Sequence, residues 1–268
     1  MKKVLAFILA MILLVSCFAG CGKNDTQTDG NKVQTDMEYV KEKGTLVVGI
    51  TDFKPMDYQE GDSDEWIGFD ADMAKAFAEK LGVKVEFNEI EWDNKVFELD
   101  SKKIDCVWNG MTLTEEVTAA MSCSNAYCNN AQVVIVKNDK ADQYKTEESC
   151  KDLQFAVEAG SAGEKVATEK GFSCTPVLTQ ADSLMEVSAG TSDAAIIDSL
   201  MAVAMVGEGT GYEDLTYTVS LNSELYGVGF RKNSDLVAEI NKFFEESAKD
   251  GTMQKIAEKY KVQAALIK

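Results

Sequence analysis

From Thr45 onward the chain alternates short apolar runs with amphipathic helical stretches, and it passes through that alternation twice. The residues over 45–50 read as a strand, and 70–81 as a helix with Met73, Phe77 and Leu81 on one face. Residues 83–87 alternate as a strand does, 92–99 are helical in pattern, and 104–108 form a short buried strand. After Tyr127 the series restarts, with strands expected over 132–136, 154–157, 174–178 and 194–197. Helices are expected over 163–170, 183–189, 236–244 and 253–260. Alternating elements of this kind give an α/β fold with mostly parallel sheets covered by helices. Two series in about 230 mature residues suit two lobes better than one.

What precedes this pattern is of a different kind. Lys2 and Lys3 stand before an apolar run from Val4 to Val15, which leads to small residues around Ser16 to Gly20. A positive start, about a dozen apolar residues and a small-residue break make an export signal over 1–20. The run falls short of the roughly 20 apolar residues of a membrane span. Both 14–17 and 18–21 resemble the bacterial lipobox, whose cysteine is diacylated after cleavage. Cys21 is favoured, with Gly20 before it and a polar tail after it, and Cys17 is the alternative. Two acyl chains anchor stably where one does not. Residues 21–36 then read as a polar tether, placing the folded part outside the cell on a lipid-anchored chain.

Charge and residue types narrow the chemistry. Loss of Lys2 and Lys3 with the signal takes the net charge from −18 to about −20, which disfavours nucleic acid and anionic headgroups as partners. There is no histidine, so His-based acid–base catalysis, Ser-His or Cys-His nucleophiles and ordinary zinc sites are excluded. Five cysteines remain beyond Cys17 and Cys21: Cys106, Cys123, Cys128, Cys150 and Cys174. None has metal-ligand spacing; a Cys150–Cys174 disulfide is open, and the odd number leaves at least one free thiol. No cofactor or metal is expected.

An ordered set of motifs runs through the same region. Gly68-Phe69-Asp70-Ala71-Asp72-Met73-Ala74 is followed by Trp92, Ile104-Asp105 and Asn109-Gly110-Met111-Thr112-Leu113-Thr114. Ser124-Asn125-Ala126-Tyr127, Gly160-Ser161-Ala162-Gly163-Glu164, Asp198, Gly227 to Lys232 and Asp250-Gly251-Thr252 complete it. In this the sequence resembles the polar amino-acid-binding receptors of ABC importers, bacterial solute-binding proteins of family 3, over residues 44 to 260. The resemblance implies a two-lobe periplasmic-binding-protein-like fold, two β/α sheets joined by two hinge crossovers. Lobe 1 would comprise 37–130 plus 219–268, and lobe 2 residues 131–218. A small ligand would sit in the cleft at the carboxyl ends of the strands, and the lobes would close on it by hinge motion. Partners would be a membrane permease with its ATPase, and the receptor itself a monomer. The permease reads the closed form, so ligand must favour that form.

The resemblance also implies roles. Phe53 and Trp92 would wall the ligand, their ring faces offering roughly 2 kcal/mol to a desolvated cation; an ordinary core position is the other reading of Trp92. Asp198, at a strand end, would accept the ligand's α-ammonium. Asp52 would be a second acceptor, in a Thr51–Pro55 loop about two residues shorter than is common. Gly110 lets the backbone approach the ligand, flanked by Asn109, Met111 and Thr112, whose hydroxyl would donate. Ser161 and Ala162 open a helix whose amides would bind an anionic group, and Glu158 adds negative character.

One departure stands out. Where amino-acid receptors carry an arginine that forks onto the ligand carboxylate, this chain has Val117, and its one arginine, Arg231, matches a structural position. A carboxylate buried without a partner costs several kcal/mol, against about −8 kcal/mol for micromolar binding. Either the carboxylate is held by the amides at 161–163, by Asn109 or by a lysine, or the ligand is an amine, amide or small peptide lacking it. Some proteins of this fold are cyclohexadienyl dehydratases or cell-wall lyases, and others are sensory domains. Without histidine or a clear acid pair an enzyme is disfavoured, and a sensory domain would call for a span after Lys268.

Overall fold

A computed structural model of the chain describes residues 34–267. The export signal, Cys17, Cys21 and the tether up to Val33 lie outside the described residues. The polar segment gives way to structure sooner than its composition implies. Thr35 caps helix α1 (Asp36–Lys43), its hydroxyl accepting the Glu38 N–H while the Glu38 carboxylate accepts its own. Asp36, expected in the tether, therefore opens the first helix, and its carboxylate takes the Nε–H of Arg231 at 2.9 Å.

The first sheet begins with β1 (Thr45–Ile50), α2 (Phe69–Leu81), β2 (Lys84–Glu89), α3 (Lys95–Asp100) and β3 (Cys106–Val107). Strand β1 lies between β2 and β3 and is parallel to both. After α4 (Glu115–Ala120) and β4 (Ser122–Cys123), strand β5 (Cys128–Asn130) leaves this lobe. The second sheet is built from β6 (Gln132–Lys137), β7 (Gln154–Glu158), α5 (Ala162–Lys170), β8 (Ser173–Val177) and α6 (Gln180–Ala189). It continues with β9 (Ala194–Asp198), α7 (Ser199–Met205) and β10 (Leu215–Ser220), in the order β10-β6-β9-β7-β8. The chain then returns through β11 (Glu224–Tyr226), β12 (Gly229–Phe230), α8 (Leu236–Asp250) and α9 (Thr252–Lys259). The first sheet is ordered β2-β1-β3-β12-β4, and the two crossing strands, β5 and β11, pair antiparallel with each other.

The sheets are mixed rather than mostly parallel. Each has three parallel strands from its β/α winding, β2-β1-β3 and β8-β7-β9. The remaining strands meet them the other way: β12 is antiparallel to β3 and β4, β6 to β9, and β10 to β6. The reason is connectivity, since strands that enter or leave through the crossing pair need no helical return.

Each lobe has its own packing centre. In the first, Phe77, Trp108, Tyr127, Phe243 and Phe244 form a ring cluster with centroids as close as 5.4 Å. Burying each such ring is worth roughly 2–3 kcal/mol. In the second, Phe155 stacks on Phe172 at 5.1 Å beside the buried Cys150. Cys150 and Cys174 are both free thiols, as are Cys106, Cys123 and Cys128, so the open disulfide does not form. Cys174 is partly buried against the same apolar cluster as Cys150, and both behave as small core residues.

Arg231 is held as a structural residue. Its guanidinium donates to the Asp36 carboxylate, to Leu99 O at 3.2 Å, to Ile104 O at 2.8 Å and to Asp105 at 3.4 Å. It thereby fastens α1 and the end of α3 to the strand that brings the chain home.

Candidate ligand-binding cleft

A cavity of about 520 Å³ lies where the carboxyl ends of the parallel strands face each other, and residues of both lobes line it. Its floor on the first lobe is the turn after β3. Gly110 has φ +55, and a Cβ there would stand 2.5 Å from Phe53 Cε1, so only glycine lets that ring lie against the turn. Asp70, in the first turn of α2, accepts the Gly110 N–H at 2.6 Å and the Tyr127 O–H at 2.7 Å. Asp57 accepts from Asn109 Nδ2 at 2.8 Å. Burial raises both acids, Asp70 to about 7.

These bonds redirect two expected roles. Both N–H groups of the Asn109 amide are used inside the lobe, by Asp57 and by Thr51 O at 2.9 Å, so they cannot also hold a ligand carboxylate. The Thr112 hydroxyl donates to Glu224 at 2.8 Å rather than into the cleft. Asp52 is exposed and outside the cavity lining, because the short loop turns back at Phe53, which pairs with Asp57.

The side wall comes from α3 and the turn before it. Trp92, 8% exposed, lines the cavity, and Lys95 lies one helical turn further on. The Lys95 ammonium stands 4.8 Å from the centre of the Trp92 ring and donates to Trp92 O and to Gly160 O, both at 3.0 Å. Burial lowers its pKa, opposed by the charges of Glu158, Asp93 and Glu164. Val117 and Val96 make the neighbouring lining apolar.

On the second lobe Asp198 ends β9. Asn130 Nδ2, Gln132 Nε2 and the Tyr226 O–H at 2.7 Å donate to its Oδ1, and Gln180 Nε2 donates to Oδ2. All are neutral donors, and burial followed by the charge of Glu224 holds the carboxyl well above its ordinary range. Glu158 ends β7 and is 3% exposed, with Oε1 unpartnered. Burial, then the charge of Asp198, push it up to about 8, against the pull of Lys95.

Helix α5 begins at the same rim. Ser161 caps it, accepting the Glu164 N–H at 3.1 Å, while the Ser161 N–H goes to Glu158 O at 3.2 Å. The Glu164 carboxylate accepts the Gly160 N–H at 2.7 Å, which places an acid of the chain beside the 161–163 amides expected to hold an anionic ligand group. Gly160 and Ala162 line the cavity beside them. The lobes meet across the mouth through Lys95 and Gly160 O, and through Lys165 Nζ on Glu116 at 2.7 Å.

A two-lobe fold with a cleft of this kind is matched by sequence as well. Residues 46–263 match the model of the bacterial extracellular solute-binding proteins, family 3. The chain belongs to that family. The L-cystine-binding protein TcyA of Bacillus subtilis is 31% identical over 265 residues, 97% of each chain. A Streptococcus pneumoniae ABC uptake transporter substrate-binding protein with bound histidine superposes with TM-score 0.79 at 28% identity, over 87% of this chain and 99% of that one. An ancestral arginine-binding protein bound to arginine superposes with TM-score 0.73 at 35% identity, over 81% and 98%.

In this solute-binding protein the fold brings Phe53, Trp92, Asn109, Gly110, Met111, Thr112, Val117, Ser161, Ala162 and Asp198 to one cavity and leaves Asp52 out. Lys95, Gln180 and the Lys165–Glu116 bridge were not singled out from sequence. Lys95 carried a signal: in the Trp92 to Leu99 helical pattern it falls on the inward face, where a lysine is out of place.

Proposed function

We propose that this receptor captures an amino acid between its lobes outside the cell and presents the closed form to a membrane permease driven by an ATPase. The carrying observation is the cavity shared by both lobes, with Asp198 on one side, the Phe53 and Trp92 rings on the other, and bonds across its mouth. Asp198 Oδ2 has one donor, Gln180, which leaves it lone pairs for an ammonium. In this reading Gly110, Met111 and Thr112 line the ligand from the first lobe and Ser161 and Ala162 from the second. The names of the relatives, which include cystine-, arginine- and glutamine-binding proteins, support an amino acid over other solutes. The chain acts as a monomeric binding protein rather than an enzyme, tethered by a lipidated Cys21, with Cys17 the alternative.

Calorimetric titration of the folded region with the twenty amino acids tests this. At least one should bind with micromolar or tighter affinity, and Asp198→Asn should weaken it at least tenfold without unfolding the protein. Undiminished affinity in that variant would place the ligand elsewhere. Mass-spectrometric detection of a diacylglyceryl group on Cys21, or on Cys17, tests the anchor.

A further inference from the structure

We propose that Lys95 is the carboxylate-holding group of this cleft, so that the ligand is a zwitterionic amino acid lying between Lys95 on one side and Glu158 with Asp198 on the other. The proposal rests on the cleft being the binding site and adds the class of ligand and the residue that selects it.

Four observations carry it. The first is that Val117 and its apolar neighbours supply no cation, and the nearby cavity lysine, Lys165, is already paired with Glu116 and Glu169. Lys95 lines the same cavity, and only 7% of it is exposed. Two of its three N–H groups go to carbonyl oxygens, and among the described residues no carboxylate lies within ion-pair distance of it. A buried ammonium held only by neutral acceptors is a charge awaiting a counter-charge.

The second is Glu158, whose buried Oε1 is unpartnered in the same lining. Lys95 favours the ionised form of Glu158 but does not pair with it. A buried cation and a buried acid with an open oxygen, held apart in one cavity, match the two ends of a zwitterion, whose ammonium would favour the ionised form of Glu158; an amine would satisfy only the acid. Third, the Ser161 N–H is taken by Glu158 O and the Glu164 carboxylate stands beside it on the Gly160 N–H, and an acid so close to the helix start makes the lysine the better anion site. The fourth is that the bond from Lys95 to Gly160 O joins the two lobes. A carboxylate on Nζ would thus sit on the group that bridges the closed cleft.

The groups facing Lys95 are Glu158 from β7, Asp93 from its own turn and Glu164 from α5; those facing Glu158 are Asp198 from β9, Asp182 from α6 and Lys95. The negative groups predominate, so a bare carboxylate ligand without an ammonium would be repelled.

The test titrates the twenty amino acids and L-cystine and compares each that binds with its decarboxylated amine, by calorimetry with competition for weak binders. On the unmodified protein at least one amino acid should bind at least tenfold more tightly than its amine. Lys95→Met should lose at least tenfold for that amino acid and less than threefold for the amine, while Lys95→Arg keeps the preference. An amine bound as tightly as its amino acid by the unmodified protein would overturn the assignment to Lys95 while leaving the cleft reading intact. Equal losses on both ligands in Lys95→Met would reduce Lys95 to a structural role and also overturn it. Failure of every amino acid and amine to bind the unmodified protein would overturn both readings. The comparison on unmodified protein needs no variant, so poor folding of Lys95→Met would not shield the proposal.

Discussion

Gly160→Ala separates folding from closure in a single substitution. Gly160 has φ +68, and an alanine there pays roughly 1–2 kcal/mol for the left-handed backbone whether the lobes are open or closed. The added Cβ would also stand 2.5 Å from Asp93 Oδ1 and 2.8 Å from Asp93 Cα. The carboxylate can rotate away, but the backbone carbon cannot, and Asp93 belongs to the other lobe. That second clash exists only when the cleft is shut. Overpacking of this kind costs about 1–3 kcal/mol, which on the closed state alone corresponds to about a 5- to 150-fold rise in Kd. Urea denaturation of the ligand-free protein reads the first effect, and calorimetric titration with the amino acid bound best reads the second. Small-angle scattering with ligand should show a larger fraction of open molecules in the variant. If stability falls as expected while Kd stays within twofold of the parent, the Asp93–Gly160 approach is not part of the ligand-bound state and the closure argument fails.

Other outcomes follow from the buried charges. Glu158 and Asp70 have folded-state values of about 8 and 7, above their ordinary 4.5 and 3.8. Both are therefore protonated in the fold and ionised in the unfolded chain over that interval, so their stabilisation is complete below about pH 4 and is lost as pH rises through 7 to 8. Denaturation of ligand-free protein between pH 5 and 8 should show this decline, and Glu158→Gln should flatten it by up to about 1.4 kcal/mol per pH unit. An unchanged slope in the variant would remove Glu158 as a source. Arg231→Met takes the guanidinium from the buried Asp105, which keeps Lys43 and the Val47 N–H, and from the Leu99 and Ile104 carbonyls, and should cost about 3 kcal/mol in urea denaturation. A loss under 1 kcal/mol would mean that the surrounding lobe adjusts, with Lys43 on Asp105 sufficing.

The fold was readable where periodicity and punctuation agree. Helix α2 keeps Met73 and Phe77 inward and stops at a left-handed Gly82, and its limits match the pattern to one residue. Helix α8 runs on to Asp250, past the expected 244, because Ser247 stays buried and the stop is again a left-handed glycine, Gly251. Strands β11 and β12 are too short to leave a period in sequence, and their pairing is a matter of long-range register. In the site, the strand-end acid Asp198 and the Gly110 turn could be placed by motif. Hydrogen-bond assignments could not: the donors of Asn109 and Thr112 are drawn off by Asp57 and Glu224, residues 52 and 112 positions away.

Asp198 is tied to more than the lobe that carries it. Tyr226, on crossing strand β11, donates to it; Glu224 on the same strand accepts from Asn130, Gln132 and, in the first lobe, Thr112. The charge-bearing floor of the cleft is thus continuous with the pivot on which the lobes turn. If the solute binds Asp198 as proposed, its release would disturb this chain of bonds, and substitutions at the crossing strands should change its residence time as much as substitutions at the rim. On that reading the dwell of the cargo would be a tunable quantity, adjustable by hinge residues that never touch it.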